Sequence, residues 1–313
     1  MAISPKHLTR RELLAGAATL AGGTLLSPGF FSGSAEASAS HYDPRLSVQI
    51  YVWTQHFESQ RKTIVDGVEE ALAAIQRAGY GRVELTSDFF RPEVRTKTVA
   101  LLAKYNLEPA TTYAGATMHE APAAERAIRE ILKLGRVLKP VGTRWIVTNP
   151  GPKPGQARKT DNELNTQARY LNQLGRGLRK QGIGLMIHHH TPELADNARE
   201  WRHLLQHTDP SLISCCVDVE WAVRGGQEPL AFLREARNRL ASLHLRNSKA
   251  GVWMEDFDEG DIDYRQVTNY LKQIGYDGYL VVELAYEKKT AITRPLEEDL
   301  RLSRLYAEKV FGL

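Results

Sequence analysis

Short apolar runs alternate with longer segments of helical spacing along most of this 313-residue chain. The runs are mostly apolar rather than regularly alternating with polar residues, which is typical of parallel strands covered by helices. Eight runs fit this description, at residues 46–53, 82–86, 107–113, 143–148, 184–187, 212–217, 240–245 and 279–284. They predict eight buried strands.

The segments between the runs carry apolar residues every three or four positions, the period of an amphipathic helix. In the first segment Ile64, Val68, Leu72 and Ile75 form this stripe, and Gly79 ends it. The predicted helices span residues 63–78, 92–105, 123–138, 161–181, 192–207, 228–236, 264–274 and 296–310. Eight strand–helix units within residues 40–313 predict one α/β domain, a single (β/α)8 TIM barrel, a fold whose usual length is ~250 residues.

The first 39 residues have the pattern of an export signal rather than of the barrel. Arg10 and Arg11 precede a run of small apolar residues at 15–26, and Ala37 and Ala39 end two small-x-small cleavage motifs. The apolar run is too short and too rich in Gly and Ala to span a membrane well. We therefore expect a twin-arginine signal peptide over residues 1–39, a periplasmic or extracellular protein, and no stable membrane insertion after removal of the signal.

Composition and charge narrow the choice of partner. The chain is 42% hydrophobic and 25% charged, as globular proteins are, and its net charge of +4 includes no long basic run. This argues against nucleic acid as the main partner and favours a small molecule. Cys215 and Cys216 are adjacent in a predicted strand, so we expect two buried thiols on opposite faces rather than a disulfide. A homo-oligomer is compatible with the sequence but is not required by it.

Polar residues stand where four consecutive predicted strands end. They are the histidine run at 188–190, Asp218, His244 and Glu283. Carboxylates and imidazoles are costly to bury unless they are paired or bind a metal. Because the C-terminal ends of barrel strands form one active-site face, these residues predict one shared site with the character of a divalent metal centre.

Alternation along a strand sends His188 and His190 to one side and His189 to the other. The expected metal ligands are His188, Asp218, His244 and Glu283. We expect His190 to be a second ligand from this run or a substrate contact. Imidazoles and carboxylates together suit one divalent ion, Mn²⁺, Co²⁺, Zn²⁺ or Fe²⁺.

Such an ion polarises a carbonyl and stabilises an enediolate. A nearby base then removes the proton next to that carbonyl, and Glu283, His190 and Glu193 are the candidates. The chemistry predicted from these residues is therefore proton abstraction from a sugar carbon next to a carbonyl group.

Aromatic and polar residues near the strand ends are candidates for holding a sugar, since flat apolar rings pack against sugar faces. The expected substrate-binding residues are Trp53, His56, Glu84, Trp221 and Arg246, with Trp145 and Trp253 as further rings. Glu84 is expected to close the second strand and bind hydroxyls. Arg246 is expected to hold an anionic group or to form a structural ion pair.

Six short stretches are loose matches alone but specific in their order and spacing. They lie at residues 78–85, 187–194, 217–221, 243–247, 259–264 and 275–283. Together they resemble the xylose isomerase-like TIM barrels, a family that includes sugar phosphate isomerases and epimerases, inosose dehydratases and endonuclease IV. The resemblance covers residues 46–313.

The resemblance implies one ion held by Glu, Asp, His and Glu from strands five to eight. Asp218, His244 and Glu283 match the last three ligands, and His188 stands at or near the place of the first Glu. In the family's epimerases both glutamates act on the substrate, one on each face. A sugar isomerase or epimerase is the family expectation, but a lyase or dehydratase acting on a keto-glycoside or an inosose fits the missing Glu equally well. Because an exported enzyme meets mostly unphosphorylated sugars, we expect an unphosphorylated sugar or keto-sugar as substrate.

Two functions of other classes fit the sequence less well. A metal-dependent phosphodiesterase like endonuclease IV needs several ions, more histidines and a basic DNA-binding face, which the small net charge does not favour. A non-catalytic periplasmic sugar-binding barrel would bind no divalent ion, so metal analysis separates it from both kinds of enzyme.

Overall fold

The computed structural model describes residues 41–313, which contain a closed barrel of eight parallel strands. In order around the barrel they are β1 (Arg45–Gln49), β2 (Arg82–Thr86), β3 (Glu108–Tyr113), β4 (Trp145–Thr148), β5 (Gly184–Ile187), β6 (Ile213–Asp218), β7 (Leu240–Leu245) and β10 (Tyr279–Val282). β10 pairs with β1, for example Ser47 with Val281, and closes the ring. The prediction of a single (β/α)8 barrel is confirmed. The predicted signal peptide, residues 1–39, lies outside the described residues.

Helices follow the strands and cover the outside of the barrel. They are α1 (Tyr51–Ser59), α2 (Ile64–Arg77), α3 (Arg95–Lys104), α4 (Ala121–Leu138), α5 (Asp161–Lys180), α6 (Thr191–His207), α7 (Val219–Arg224), α8 (Pro229–Ala236), α9 (Tyr264–Gln273) and α10 (Leu296–Phe311). A short antiparallel hairpin of β8 (Ser248–Lys249) and β9 (Val252–Trp253) stands in the loop after β7. No helix within residues 41–313 combines the length and apolar character needed to cross a bilayer.

Capping residues in the sequence explain where two of the longest helices begin. The Thr63 side chain accepts a hydrogen bond from the N–H of Asp66, whose carboxylate accepts one from the N–H of Thr63. Thr160 and Glu163 form the same reciprocal pair at the start of α5. Each pair satisfies two backbone donors that a helix start leaves free.

The apolar core has two parts, one between strands and helices and one inside the barrel. The inner part consists of Ala110, Val147, Met186, Cys216, Tyr279 and Val281. Cys215 belongs to the outer part, so the two cysteines point to opposite faces of β6. Both are buried free thiols, as the alternation predicted.

The first predicted strand, residues 46–53, is too long by its last four residues. β1 ends at Gln49, whose side-chain Oε1 accepts a hydrogen bond from the N–H of Tyr51, and α1 begins there. Trp53 and Phe57 are one helical turn apart and are both buried, so this face of α1 packs onto the barrel. A short apolar run by itself does not distinguish a strand from a buried helical turn.

Candidate active site

The structure brings together the four residues predicted as metal ligands. They are His188, Asp218, His244 and Glu283, and all four are buried. One donor atom from each lies within 4.8 Å of the donor atoms of the other three. The cluster is at the C-terminal ends of the strands, where barrel enzymes carry their active sites.

Asp218 and His244 are placed by the pairing of β6 with β7. They lie opposite each other in the strand register, so both side chains point into the barrel. Asp218 is the last residue of its strand, and its Oδ1 accepts a hydrogen bond from Trp221 N, 2.8 Å away. That bond caps α7 and fixes one carboxylate oxygen, which leaves Oδ2 for the site.

His188 and Glu283 lie one residue beyond β5 and β10. His188 N donates to Thr148 O at 2.8 Å, and Glu283 N donates to Leu245 O at 2.9 Å. The parallel hydrogen-bond ladders therefore continue through both residues, and their side chains keep the inward direction of the alternate strand positions.

His244 lies between two carboxylates. Its Nδ1 is 2.5 Å from Glu283 Oε2, and its Nε2 is 3.1 Å from Glu84 Oε1. Burial opposes a charged imidazole, but Cys216 and the two carboxylates outweigh it and raise the pKa of His244 well above 6.5. These neighbours favour the imidazolium form of His244, which would have to release one ring proton before it could bind an ion.

Arg246 supplies the second positive charge of the cluster. Its Nη2 is 2.8 Å from Asp218 Oδ2 and 2.8 Å from Glu283 Oε2. Burial opposes ionisation of both carboxylates, but the Arg246 guanidinium outweighs it and lowers the pKa of Asp218, and it lowers the pKa of Glu283 to about 2. Both acids are therefore anionic throughout the neutral range.

The donor set is one that a borderline divalent ion prefers. Both ring nitrogens of His188 lack a hydrogen-bond partner although its side chain is only 1% exposed. Burial lowers the pKa of His188, so its imidazole is neutral and offers a lone pair. Two imidazoles with two carboxylates suit Mn²⁺, Co²⁺, Zn²⁺ or Fe²⁺. Arg246 would compete with such an ion, because both neutralise Asp218 and Glu283.

The three consecutive histidines divide as the strand alternation predicts. The His188 ring lies 4.8 Å from the rings of both His190 and His244, measured between centroids. The His189 ring points the other way and packs edge-on against Trp201 and Phe232 at 4.8 and 5.1 Å. His188 therefore belongs to the cluster and His189 to the outer core.

We expect His189→Phe to stabilise the protein by about 1 kcal/mol near pH 7, because both His189 ring nitrogens are buried without a partner. The gain in stability of His189→Phe over wild type should be larger at about pH 5 than near pH 7. Burial holds the pKa of His189 well below 6.5, so only the unfolded chain takes up that proton as the pH falls through 6.5, and wild-type stability declines with it. Urea unfolding at both pH values measures this.

The exposed His207 provides the control, and His207→Phe should gain no stability. An unchanged stability for His189→Phe at both pH values would mean that the His189 ring has a hydrogen-bond partner.

A cavity of about 670 Å³ opens at the mouth of the barrel. Its volume is in the range of small-molecule sites. The predicted residues that line it are His190, Trp221, Trp253, Arg246 and Glu283. Gln49 and Tyr113 line it too and were missed, although both end barrel strands and the strand-end rule points to them.

One wall of the cavity is built from aromatic rings in edge-to-face contact and one guanidinium group. The Trp221 and Trp253 rings meet edge to face at 5.1 Å. The Arg246 guanidinium lies 4.7 Å from the centroid of Trp253, and the His190 ring lies 5.3 Å from that of Trp221. This wall combines flat apolar faces with polar edges, which suits a sugar ring.

Three residues expected to bind substrate or pack against it lie elsewhere. Trp53 is buried on α1 against Phe57, because the first strand ends four residues earlier than predicted. His56 lies on the same helix, where its Nε2 is 2.8 Å from Gln60 Nε2. Trp145 starts β4, at the opposite end of the barrel from the cavity.

Glu84 also differs from the expectation that it closes its strand and binds hydroxyls. It is the middle residue of β2 and fully buried, and it contacts His244 from inside the barrel instead of lining the cavity. The strand continues for two residues beyond it, which places Glu84 below the cavity floor.

Glu193 lies under the backbone of the histidine run rather than in the cavity lining. Its Oε2 accepts a hydrogen bond from His190 N at 2.8 Å in the first turn of α6. Burial, with the neighbouring Glu200 carboxylate, raises the pKa of Glu193 to about 7. In this position Glu193 holds the His190 backbone, whose imidazole faces the cavity.

Comparison with known proteins defines the class of this barrel. The xylose isomerase-like TIM barrel family matches residues 72–306, most of the described domain. The chain belongs to that family.

Particular relatives are more distant. Inosose dehydratase of Clostridium tetani is 28% identical over 169 residues, 48% of this chain and 56% of that protein, so the chain spans about half the length of this relative. Inosose dehydratase 1 of Bacillus cereus is 24% identical over 271 residues, 77% of this chain and 89% of that protein. A sugar phosphate isomerase/epimerase from Parabacteroides distasonis has a similar structure, with a TM-score of 0.67 at 18% identity, covering 88% of this chain and 96% of that one.

Proposed function

We propose that this protein is a metal-dependent enzyme that removes a proton next to the carbonyl of an unphosphorylated sugar or keto-sugar, as isomerases and epimerases do. The observation that carries the proposal is the His188–Asp218–His244–Glu283 cluster at the floor of a cavity walled by Trp221 and Trp253. Family membership and the names of the relatives support a sugar substrate.

The four cluster residues would hold the ion, and a bound ion would supply Lewis-acid polarisation of the substrate carbonyl. Two of the candidate bases line the cavity. Glu283 belongs to the four-residue cluster, and His190 belongs to the histidine run that follows strand five. Burial, with the nearby His188, lowers the pKa of His190 to about 3, so its imidazole is neutral but a weaker base than an exposed histidine. Asn149 Nδ2 lies 3.4 Å from His190 Nδ1 and orients the ring.

The cavity's charge supports an unphosphorylated substrate. Among the described residues that line it, Arg246 is the one with a guanidinium or ammonium group, and it is already paired with Asp218 and Glu283. A phosphate group would find no uncommitted cation there. The proposed export through residues 1–39 would also place the enzyme among unphosphorylated sugars.

A dehydratase or lyase is the second candidate, and His188 is the observation that favours it. His188 stands at or near the strand-five position at which the resemblance implies a glutamate, so the two-glutamate arrangement for epimerisation is incomplete. Removal of one proton by a single base, followed by loss of water or of a glycosidic group, needs no second glutamate. The relatives named inosose dehydratase agree with this outcome.

The test is a screen of aldo-sugars, keto-sugars, inososes and keto-glycosides with Mn²⁺-loaded protein in deuterated water, followed by NMR. We expect deuterium to enter next to the carbonyl. Net conversion to an epimer or isomer would identify the first candidate, and loss of water or an aglycone the second. Glu283→Gln should slow the exchange by about 10²–10⁴-fold, the usual contribution of a general base.

Asp88→Asn is the matched control, because Asp88 also lines the cavity but pairs with Arg91 outside the cluster. It should leave the exchange rate within a few-fold of wild type. Tight sugar binding without exchange on any substrate would instead indicate a sugar-binding barrel and overturn the proposal.

A further inference from the structure

Cys216 lies one layer deeper in the barrel than the proposed ligands. It precedes Asp218 by two residues on β6, so its side chain points inward on the same face. It is fully buried, and its pair partner across the strands is Ser242. Its sulfur lies within 4.8 Å of a ring nitrogen of His244. A thiol therefore stands directly under the histidine and carboxylate cluster.

This thiol is one of three donors that lie close together. The sulfur of Cys216 and one ring nitrogen each of His188 and His244 all lie within 4.8 Å of one another. Neither ring nitrogen of His188 has a hydrogen-bond partner, and this side chain is 1% exposed. A buried imidazole without a hydrogen-bond partner is a costly arrangement unless something binds it.

We propose that His188, Cys216 and His244 form a second donor set, which takes a thiophilic divalent ion such as Zn²⁺ or Cd²⁺. It shares both histidines with the Asp218–Glu283 set, on which the proposed function rests. The two positions therefore cannot be filled together, and a thiophilic ion displaces an oxygen-preferring ion such as Mn²⁺ by moving deeper into the barrel.

The chemistry of the donors separates the two positions. Thiolates select soft ions, whereas carboxylates suit Mn²⁺ and other hard ions. Zn–S bonds of about 2.3 Å and Zn–N bonds of about 2.0 Å place one sulfur and two nitrogens roughly 3.3–3.5 Å apart in a tetrahedral site, so small side-chain movements suffice.

Charge is balanced at the deeper position. When the ion binds, the Cys216 thiol forms a bond from sulfur to metal and loses its proton to solvent, while His244 must give up one ring proton. One dication with one thiolate leaves a single positive charge. Glu84 supplies the neighbouring negative charge, since its Oε1 is 3.1 Å from His244 Nε2 and both of its oxygens lack a hydrogen-bond donor.

The neighbouring cysteine makes a matched control. Cys215 has the same chemistry and the same complete burial, but its side chain points into the outer core. Titrating metal-stripped full-length protein with Co²⁺ should produce a thiolate-to-cobalt charge-transfer band in the near ultraviolet. We expect the band in wild type and in Cys215→Ser, and its loss in Cys216→Ser.

Affinity provides a second measurement. Calorimetry should show that Cys216→Ser binds Cd²⁺ at least about 100-fold more weakly than wild type. Replacing a residue that only supports a ligand already costs up to about 100-fold, so loss of a ligand should cost at least as much. Mn²⁺ affinity should stay within about three-fold of wild type, since its oxygen donors are unchanged. X-ray absorption of the Cd²⁺-loaded wild type should find one sulfur neighbour, a result that needs no variant to fold.

A Cd²⁺-loaded wild type without a sulfur neighbour in X-ray absorption, or a Co²⁺ band that persists in Cys216→Ser, would overturn the inference. Its failure is distinguishable from failure of the proposed function. No sulfur neighbour in the Cd²⁺-loaded protein, with normal Mn²⁺-dependent turnover, refutes only the deeper site. A sulfur neighbour without turnover of any sugar refutes only the enzyme.

Discussion

Replacing Asp218 with asparagine should lower the affinity for Mn²⁺ by at least about 100-fold and abolish sugar turnover. The change removes the anionic Oδ2 that faces His188 and Arg246, and with it one of the two carboxylates of the cluster. The amide oxygen can still accept the hydrogen bond from Trp221 N, so the start of α7 is retained. Calorimetry with Mn²⁺ and metal analysis of the purified variant measure the loss.

Glu220→Gln is the control for this experiment. Glu220 is two residues further along and equally buried, but its carboxylate contacts Arg224 and Ser248 rather than the cluster. We expect unchanged metal stoichiometry in Glu220→Gln and cooperative unfolding in both variants. Full metal occupancy in Asp218→Asn would refute the assignment of this cluster as the metal site.

The metal-free protein should lose about 3–5 kcal/mol of stability when Arg246 is replaced by methionine. Removing one partner of a buried ion pair leaves the other charge uncompensated. Here Arg246 Nη2 contacts both Asp218 and Glu283 at 2.8 Å, and all three side chains are buried. Urea unfolding of the metal-stripped variant and wild type compares their free energies of unfolding.

Added Mn²⁺ should raise the free energy of unfolding of Arg246→Met by more than it raises that of wild type. A ligand at 100 times its Kd stabilises the folded state by about 2.7 kcal/mol. In the variant the ion no longer competes with the guanidinium for Asp218 and Glu283, so its affinity should rise. Substrate turnover does not measure this effect, because Arg246 also lines the cavity and its replacement changes the substrate site.

Arg224→Met serves as the comparison, since Arg224 forms ion pairs with Glu220 and Glu287 but is partly exposed. It removes the cation that pairs with the buried Glu220, so it should cost about 1–3 kcal/mol. Mn²⁺ should not compensate for this loss, because neither carboxylate belongs to the cluster. Equal losses in the two variants, both insensitive to Mn²⁺, would contradict a role for Arg246 as the counter-cation of the cluster.

The fold was predictable because its signals are local and repeated. Three strands, β2, β5 and β7, begin and end where the apolar runs do, and the helices agree to within a few residues. The error at residues 50–53 arose because an apolar run of that length is compatible with a strand or a buried helical turn. The hairpin of β8 and β9 was missed because two-residue strands carry no periodic signal.

The sequence by itself determined that imidazoles and carboxylates end four consecutive barrel strands, and strand alternation already separated His189 from His188 and Cys215 from Cys216. Closure of the barrel decided which of these groups touch, because distances between strands depend on register and on strand length. Only the tertiary structure put Glu84 against His244 instead of in the cavity, moved Trp53 and His56 away from it, and placed Arg246 between Asp218 and Glu283. Those contacts join residues from different strands, and no local pattern in the chain encodes them.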